Sequence, residues 1–432
     1  MAGQPSELFV LLSGQQVGRV KRGEKGTISF TYDAAWRESE EAYPLSLSMP
    51  LARARHPDEV AHPFLDGLLP DNRNALERWG KHFHVSPRNP FALLTHMGED
   101  CAGAVQLVRP DRLDQVLTSG EPTHGNVEWL SEAEVAARLR DAIEYHSMGR
   151  LAGDHGHFSL AGAQPKTALF YDGDRWGIPE GRLPTTHIVK PPARRDLDGF
   201  DINEHFCLRL ARELGLVTAR SFIHDFDGLT AIVVERYDRH ADRSGVVRLH
   251  QEDTCQALAV SPLTKYENEG GPGAPEIVDL LRRRVDEPAE DVGTFVDALA
   301  LNWVIGGTDA HAKNYSLLVR PDSVRLAPLY DLISALPYST RLPYRQLKVA
   351  MRVDREYHIW KISRRHWEGL AERCHLDREP VVRRVAEVAA DVPAAASAAA
   401  TAVRGEGIQH DVLDRLEESI TKHAADCLRE LN

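Results

Sequence analysis

No stretch of the chain comes near the roughly 20 consecutive apolar residues that a membrane-spanning helix requires. The apolar run nearest the start, residues 8–12, lacks the basic flank and the length of a signal peptide's apolar region. Both absences lead us to expect a soluble cytoplasmic protein without a membrane partner. Cysteine is scarce too: the five thiols, Cys101, Cys207, Cys255, Cys374 and Cys427, lie far apart and form no C-x-x-C pair. That excludes a disulfide framework and a local zinc site and leaves buried or incidental thiols. Positive charge is outweighed, with 52 Lys and Arg against 64 Asp and Glu and a formal net charge of −12. Such a field repels phosphate backbones unless a local basic face overrides it. The arginine runs at 282–284, 364–365 and 383–384 are too short to make that face and read as solvated helix surfaces. No repeat of solenoid length is visible.

What the chain does have is enough apolar content, 42% of 432 residues, to build two or more packed units. Residues 8–12, 17–20 and 27–32 alternate like strands, with a turn at Ser13-Gly14, and predict a small β-containing module. The run 64–72, a helical pattern through Leu76 and Trp79, and Asn89-Pro90-Phe91 follow. A polar stretch at about 110–126 reads as a connection. The loop 159–166 then leads into an apolar strand at 167–171, a turn at 172–174 and a second strand, His187-Ile188-Val189-Lys190. A helical face from Asn203 ends at Gly215, and an apolar strand at 231–234 runs into Glu235-Arg236-Tyr237-Asp238. The second half is mostly helical. Apolar pairs recur every four residues from Phe295 until Gly306-Gly307 stops that helix, and Pro393 predicts a break in the alanine-rich stretch 389–402.

The segment with most chemical content is Gly306-Gly307-Thr308-Asp309-Ala310-His311-Ala312-Lys313-Asn314-Tyr315-Ser316. Asp309 and Asn314 stand at the D-x-x-x-x-N spacing of a kinase catalytic loop, where the aspartate orients the acceptor hydroxyl and the asparagine holds magnesium. An aspartate after a helix also serves as a cap or turn residue. Residues 315–319 and 324–327 flank the turn Arg320-Pro321-Asp322-Ser323, a hairpin that brings Asp331 back beside Asn314. A carboxylate and an amide oxygen there suit a magnesium ion bridging ATP phosphates. Tyr-Asp-Leu replaces the kinase D-F-G, so position carries the assignment. Lys190, at a strand end, matches the lysine that neutralises the α- and β-phosphates, and the loop before it offers backbone N–H groups to phosphate. The G-x-x-x-x-G that a Walker loop needs before Lys166-Thr167 is missing. Glu204 either pairs with Lys190 or serves the helix dipole. Glu235, Arg236 and Tyr237 read either as a hinge presenting backbone groups to adenine or as an ordinary strand end. His311 with Asp309 forms a D-x-H pair, but no further ligands at suitable spacing support a zinc or iron hydrolase.

These segments together, with Met97-Gly98 and Ser159-Leu160-Ala161-Gly162-Ala163-Gln164-Pro165-Lys166, resemble the HipA family of bacterial kinase toxins over nearly the whole length. The resemblance implies an α+β, bilobal fold related to the phosphatidylinositol kinases. It places a β-rich subdomain at 1–112, an ATP-binding lobe with the glycine loop at 150–236 and a helical lobe with the catalytic loop at 237–432. It implies an ATP-dependent serine/threonine protein kinase with Asp309 as the catalytic aspartate and Asn314 and Asp331 as magnesium ligands. Ala161, Gly162, Ala163, Gln164, Pro165, Lys166, Lys190, Glu235, Arg236, Tyr237, His311, Ala312, Lys313, Asn314 and Asp331 would then surround ATP. Ser159 matches the loop serine whose autophosphorylation switches the kinase off. Family members act on aminoacyl-tRNA synthetases and are neutralised by a helix-turn-helix HipB-type antitoxin, through which DNA would be reached. A small-molecule phosphotransferase and a catalytically silent co-repressor are the competing readings.

Overall fold

The structure, a computed structural model, describes residues 5–118, 127–145, 159–162, 164–192, 197–242, 245–338 and 341–432. The chain forms two compact units, each assembled from separate stretches. The first comprises Met1–Pro191, Asp225–Leu263 and Leu317–Val324, the second Pro192–His224, Thr264–Ser316 and Arg325–Asn432.

The first unit opens with an antiparallel sheet in the order Arg55–His56, Ile28–Tyr32, Gln15–Arg22, Glu7–Leu12, Val105–Val108. Ser13 and Gly14 both have positive φ, 49° and 79°, the geometry of a tight hairpin turn whose twist matches its strands. Alternation puts Leu8, Val10 and Phe30 on the inner face of the sheet. There they share a core with Phe64 and Leu65 of helix Asp58–Gly67 and with Phe91, Leu94 and Met97 of helix Pro90–Met97. The intervening helix Arg73–Phe83 is capped by Asn72, whose side-chain oxygen accepts from Asn74 N at 2.9 Å. Another antiparallel array follows the order Leu229–Glu235, His187–Lys190, Thr167–Tyr171, Trp176–Pro179, Val127–Leu130. The polar stretch after 109 is not simply a connection. It contains a 3-10 turn, Pro110–Arg112, and a helix, Leu113–Thr118, whose Val116 is buried with Leu11 and Val108. One apolar face of two residues was enough to dock it, and its polar composition hid that; residues 119–126 lie outside the described residues.

The second unit is built on helices Phe200–Glu213, Ala274–Arg284, Pro288–Val304, Arg364–Arg373, Arg378–Gly405 and Val412–Leu431, with a small hairpin of Lys348–Val353 and Glu356–His358. Pro393 does not break its helix, contrary to the sequence expectation: Arg378–Gly405 is continuous through it. A proline inside a helix costs about 3 kcal/mol. Eleven buried residues of that helix, from Val381 to Val403, continue the same apolar face on both sides of the proline and offset the cost. All five cysteines are free and buried, as expected. The arginine pairs are indeed on helices and carry ion pairs, among them Arg384 with Asp297 at 2.8 Å and Arg364 with Glu368 at 2.8 Å. Among the described residues, no helix is long and apolar enough to cross a membrane.

Candidate active site

In the second unit, helix Pro288–Val304 ends as anticipated at Gly306, whose φ of +66° suits glycine. Gly307 follows, packed closely against Asn302. Its N–H donates to Asn302 O at 2.7 Å, and an added Cβ would collide with Asn302 Oδ1. The chain then turns outward and exposes Asp309, while Ala310 to Ser316 are buried again. The Asp309 carboxylate is thus presented to solvent by a loop whose following residues are buried.

Several contacts fix the loop. Asn314 Nδ2 donates to Asp309 O at 3.0 Å, and His311 N donates to the same carbonyl at 2.8 Å. Because a carbonyl only accepts, the amide nitrogen of Asn314 must face it, which leaves the carboxamide oxygen as the side chain's acceptor. Asp309 Oδ1 accepts from the hydroxyl of Tyr266 at 2.5 Å, and the Tyr266 ring meets His311 edge-on at 4.9 Å. Lys265 O accepts from Ala312 N at 3.4 Å.

The hairpin predicted after the loop is present. Arg320 N donates to Ser323 O at 2.8 Å across its turn, and Ala327 N donates to Ser316 O at 2.8 Å at its open end. It returns the chain to the loop, where the Tyr330 hydroxyl donates to Lys313 O at 2.6 Å and lies 2.7 Å from Ser316 Oγ. The next residue, Asp331, is half-buried with φ of +57°, a left-handed conformation that costs a non-glycine residue roughly 1–3 kcal/mol. Tethers on both sides hold it there. Leu329 exchanges backbone hydrogen bonds with Val217 and Ala219, while Ser334 and Ala335 bond to Ile305 O and Gly306 O. Tyr330 thus brings the backbone at Asp331 to the Lys313–Asn314 stretch. A carboxylate and a carboxamide oxygen are hard donors of the kind magnesium takes.

In the first unit, the loop before Thr167 is docked. Ser159 is fully buried, with its hydroxyl donating to Leu68 O at 2.7 Å and its N–H to Asp100 O at 2.9 Å. Gly162 has φ of +105° and bridges to Pro70, and Lys166 Nζ donates to Ala161 O at 2.9 Å, packed where a Gly162 side chain would be. Gln164 and Pro165 continue the loop, and Ala163 lies outside the described residues. Lys190 is buried at the end of its strand, opposite Ile232, and Glu235 pairs with His187. The Arg236 side chain is committed to the interior: it donates to Asp238, Thr185 and Cys101 O, and its N–H donates to Thr186 O. The Tyr237 hydroxyl donates to Gln251. Glu204 is buried on Phe200–Glu213, in the second unit, whereas Lys190 belongs to the first.

Sequence reasoning missed Tyr266 and Tyr330. Tyr330 had a signal, standing immediately before the predicted ligand, but Tyr266 lies 43 residues before Asp309 with no spacing to announce it.

Comparison with known proteins gives the family and the fold. Residues 158–396 match the HipA-like C-terminal domain and residues 8–108 the HipA N-terminal domain. The chain belongs to the HipA family. It is 39% identical to the putative kinase Y4mE of Sinorhizobium fredii, over 87% of each chain. It is 30% identical to the serine/threonine-protein kinase toxin HipA of Shewanella oneidensis, over 85% of this chain and 83% of that one. The HipA chain in the Shewanella oneidensis complex of HipA, HipB and operator DNA superposes with a TM-score of 0.82 at 26% identity, covering 98% of this chain and 97% of that one. The fold class is therefore the α+β, bilobal kinase-like fold of HipA.

Proposed function

We propose that this HipA-family chain is an ATP-dependent serine/threonine protein kinase acting as the toxin of a toxin–antitoxin module. The observation that carries the reading is the exposed Asp309 carboxylate on a loop whose Asn314 amide is oriented by the Asp309 carbonyl, with Asp331 returned to that loop by Tyr330. In the reaction, the acceptor hydroxyl oxygen attacks the γ-phosphorus, the bond to the bridging oxygen breaks and ADP leaves. Asp309 orients the hydroxyl and receives its proton. Asn314 and Asp331 would hold magnesium, which when bound offsets charge on the transferring phosphoryl group. Lys190, the backbone of the 161–166 loop, the stretch 311–314 and the hinge at Glu235, Arg236 and Tyr237 would surround the nucleotide, with Glu204 orienting the lysine.

Ser159 is the proposed autophosphorylation site. Its hydroxyl sits in a fully buried pocket against Leu68 O, where a phosphate of about two negative charges would face a carbonyl oxygen. Modification would therefore drive the loop out of its docked position and end nucleotide binding. The partner would be a HipB-type antitoxin, through which DNA is reached, in a cytoplasmic complex. The acceptor would be a protein of the translation apparatus such as an aminoacyl-tRNA synthetase. Phosphoproteomics of cells briefly expressing the wild-type chain or Asp309→Gln tests this reading. New phosphoserine or phosphothreonine peptides and growth arrest should accompany the wild type alone; identical arrest and identical phosphopeptides from both would refute it.

A further inference from the structure

The contact between Tyr266 and Asp309 is tight and deliberately supported. Tyr266 O accepts from Glu269 N at 3.0 Å and from Gly271 N at 2.9 Å, so the residue sits at the start of a closed turn. Gly271 is confined there, because a Cβ would collide with Thr264 O. The next residue, Glu267, anchors the turn to strand Lys348–Val353. Its carboxylate pairs with Arg352 Nε at 2.7 Å and accepts from Arg352 N at 2.8 Å. On its other side the turn holds the catalytic loop twice more, through Lys265 O to Ala312 N and through the Tyr266 ring against His311. The phenol therefore stands on a rigid base and aims its proton at one carboxylate oxygen.

We infer that Tyr266 is a positioning residue for phosphoryl transfer, holding the Asp309 carboxylate through Oδ1 so that its second oxygen faces the acceptor hydroxyl. This inference rests on Asp309 being the residue that receives the acceptor proton. Misaligned rotamers of the aspartate are unproductive, and a bond to one named oxygen selects among them. A carboxylate accepts several hydrogen bonds at once, so a phenol on one oxygen and a substrate hydroxyl on the other are compatible. The bond is charge-assisted, the class whose loss matters most.

The test compares Tyr266→Phe with wild type and with Asp309→Asn in the full-length chain, using magnesium, labelled ATP and a serine-containing protein acceptor. Tyr266→Phe keeps the ring on His311 and removes only the hydroxyl. Its kcat should fall about 10- to 100-fold, the range expected for losing a hydrogen bond to a charged group. Its KM for ATP and its thermal midpoint should stay unchanged. Tyr266→Ala, which also removes the ring, should lower kcat no more than a further few-fold while lowering the midpoint. An unchanged or raised kcat in Tyr266→Phe overturns the inference, a rise marking the phenol as a plug in the acceptor's place. A loss confined to KM for ATP or to the thermal midpoint overturns it as well. Full activity in Asp309→Asn would instead strike the underlying reading, whatever Tyr266→Phe does.

Discussion

At Gly307 the loop that carries Asp309 depends on having no side chain, because the space a Cβ would take is filled by the Asn302 carboxamide. Gly307→Ala must therefore displace Asn302, which also donates to Ala298 O, or shift the loop that carries Asp309. We expect a lower thermal midpoint together with a fall in turnover of about tenfold or more, since small misplacements of reacting groups are costly. A variant with wild-type turnover would show that the loop tolerates the shift. Asp331 presents a separate case: hydrogen bonds on both sides of it hold its left-handed backbone, a conformation that asparagine also adopts readily. Asp331→Asn should fold normally; as a variant of the proposed magnesium ligand, in which a charged donor becomes a neutral one, it should need a higher magnesium concentration for half-maximal activity and lose turnover by about 100-fold or more. Titration of activity against magnesium checks this, and an unaltered magnesium dependence would remove Asp331 from the metal site.

The long helix Arg378–Gly405 shows how an element survives a residue that opposes it. Pro393 lacks the N–H that would bond to Ala389 O, and only the apolar face shared along the helix keeps it intact. Pro393→Ala should raise stability by about 1–3 kcal/mol, seen as a higher unfolding midpoint of the second unit; a lower midpoint would mean that the proline ring is needed for packing. The proline was legible in the sequence but its outcome was not, since local propensity names the cost and only the burial pattern of both flanks reveals the compensation. Elsewhere, short-range signals sufficed. Ser13-Gly14, Gly215 and Gly306-Gly307 all stop or turn their elements as read, and the hairpin before Asp331 follows from its turn residues. The D-x-x-x-x-N loop was visible because its members are close along the chain. Tyr266 was not, because its contact with Asp309 spans two elements and no local periodicity encodes it. The same holds for the buried ionic cluster of Asp100, Arg236, Asp238, Arg239 and Arg248, whose members come from across the first unit. Burial pushes the Asp100 carboxyl up, but Arg239, Arg248 and Arg236 overcome this and hold it down at about 2. Removing one partner from such a cluster leaves a buried charge uncompensated, so Asp238→Ala should cost about 3–5 kcal/mol. Denaturant unfolding of the first unit measures it, and a cost below 1 kcal/mol would contradict the picture.

For the molecule as a whole, buried histidines set the response to acid. Burial holds His187, His250 and His423 down at about 4. His423 is locked in one neutral form, its Nε2 donating to Trp303 O at 3.1 Å while Nδ1 accepts from the Tyr344 hydroxyl at 3.0 Å. Unfolded histidine titrates near 6.5, so between about pH 6.5 and 4 the unfolded chain binds more protons than the folded one. Stability from these groups is complete above pH 6.5 and is lost as pH falls through that window. Asp100 and its cluster give way only below about pH 4. The thermal midpoint should therefore drop steadily from pH 7 to pH 4.5, and a flat profile would mean that these histidines are charged in the fold. The proposal that this HipA-family fold is a working kinase rests in the end on one carboxylate, and one comparison reaches it directly. ATP binding by calorimetry with magnesium, and transfer of labelled γ-phosphate to protein, should be measured for the wild type and Asp309→Asn. The account predicts equal affinity for ATP and a loss of transfer of about 1,000-fold or more; equal transfer by the two proteins would contradict it.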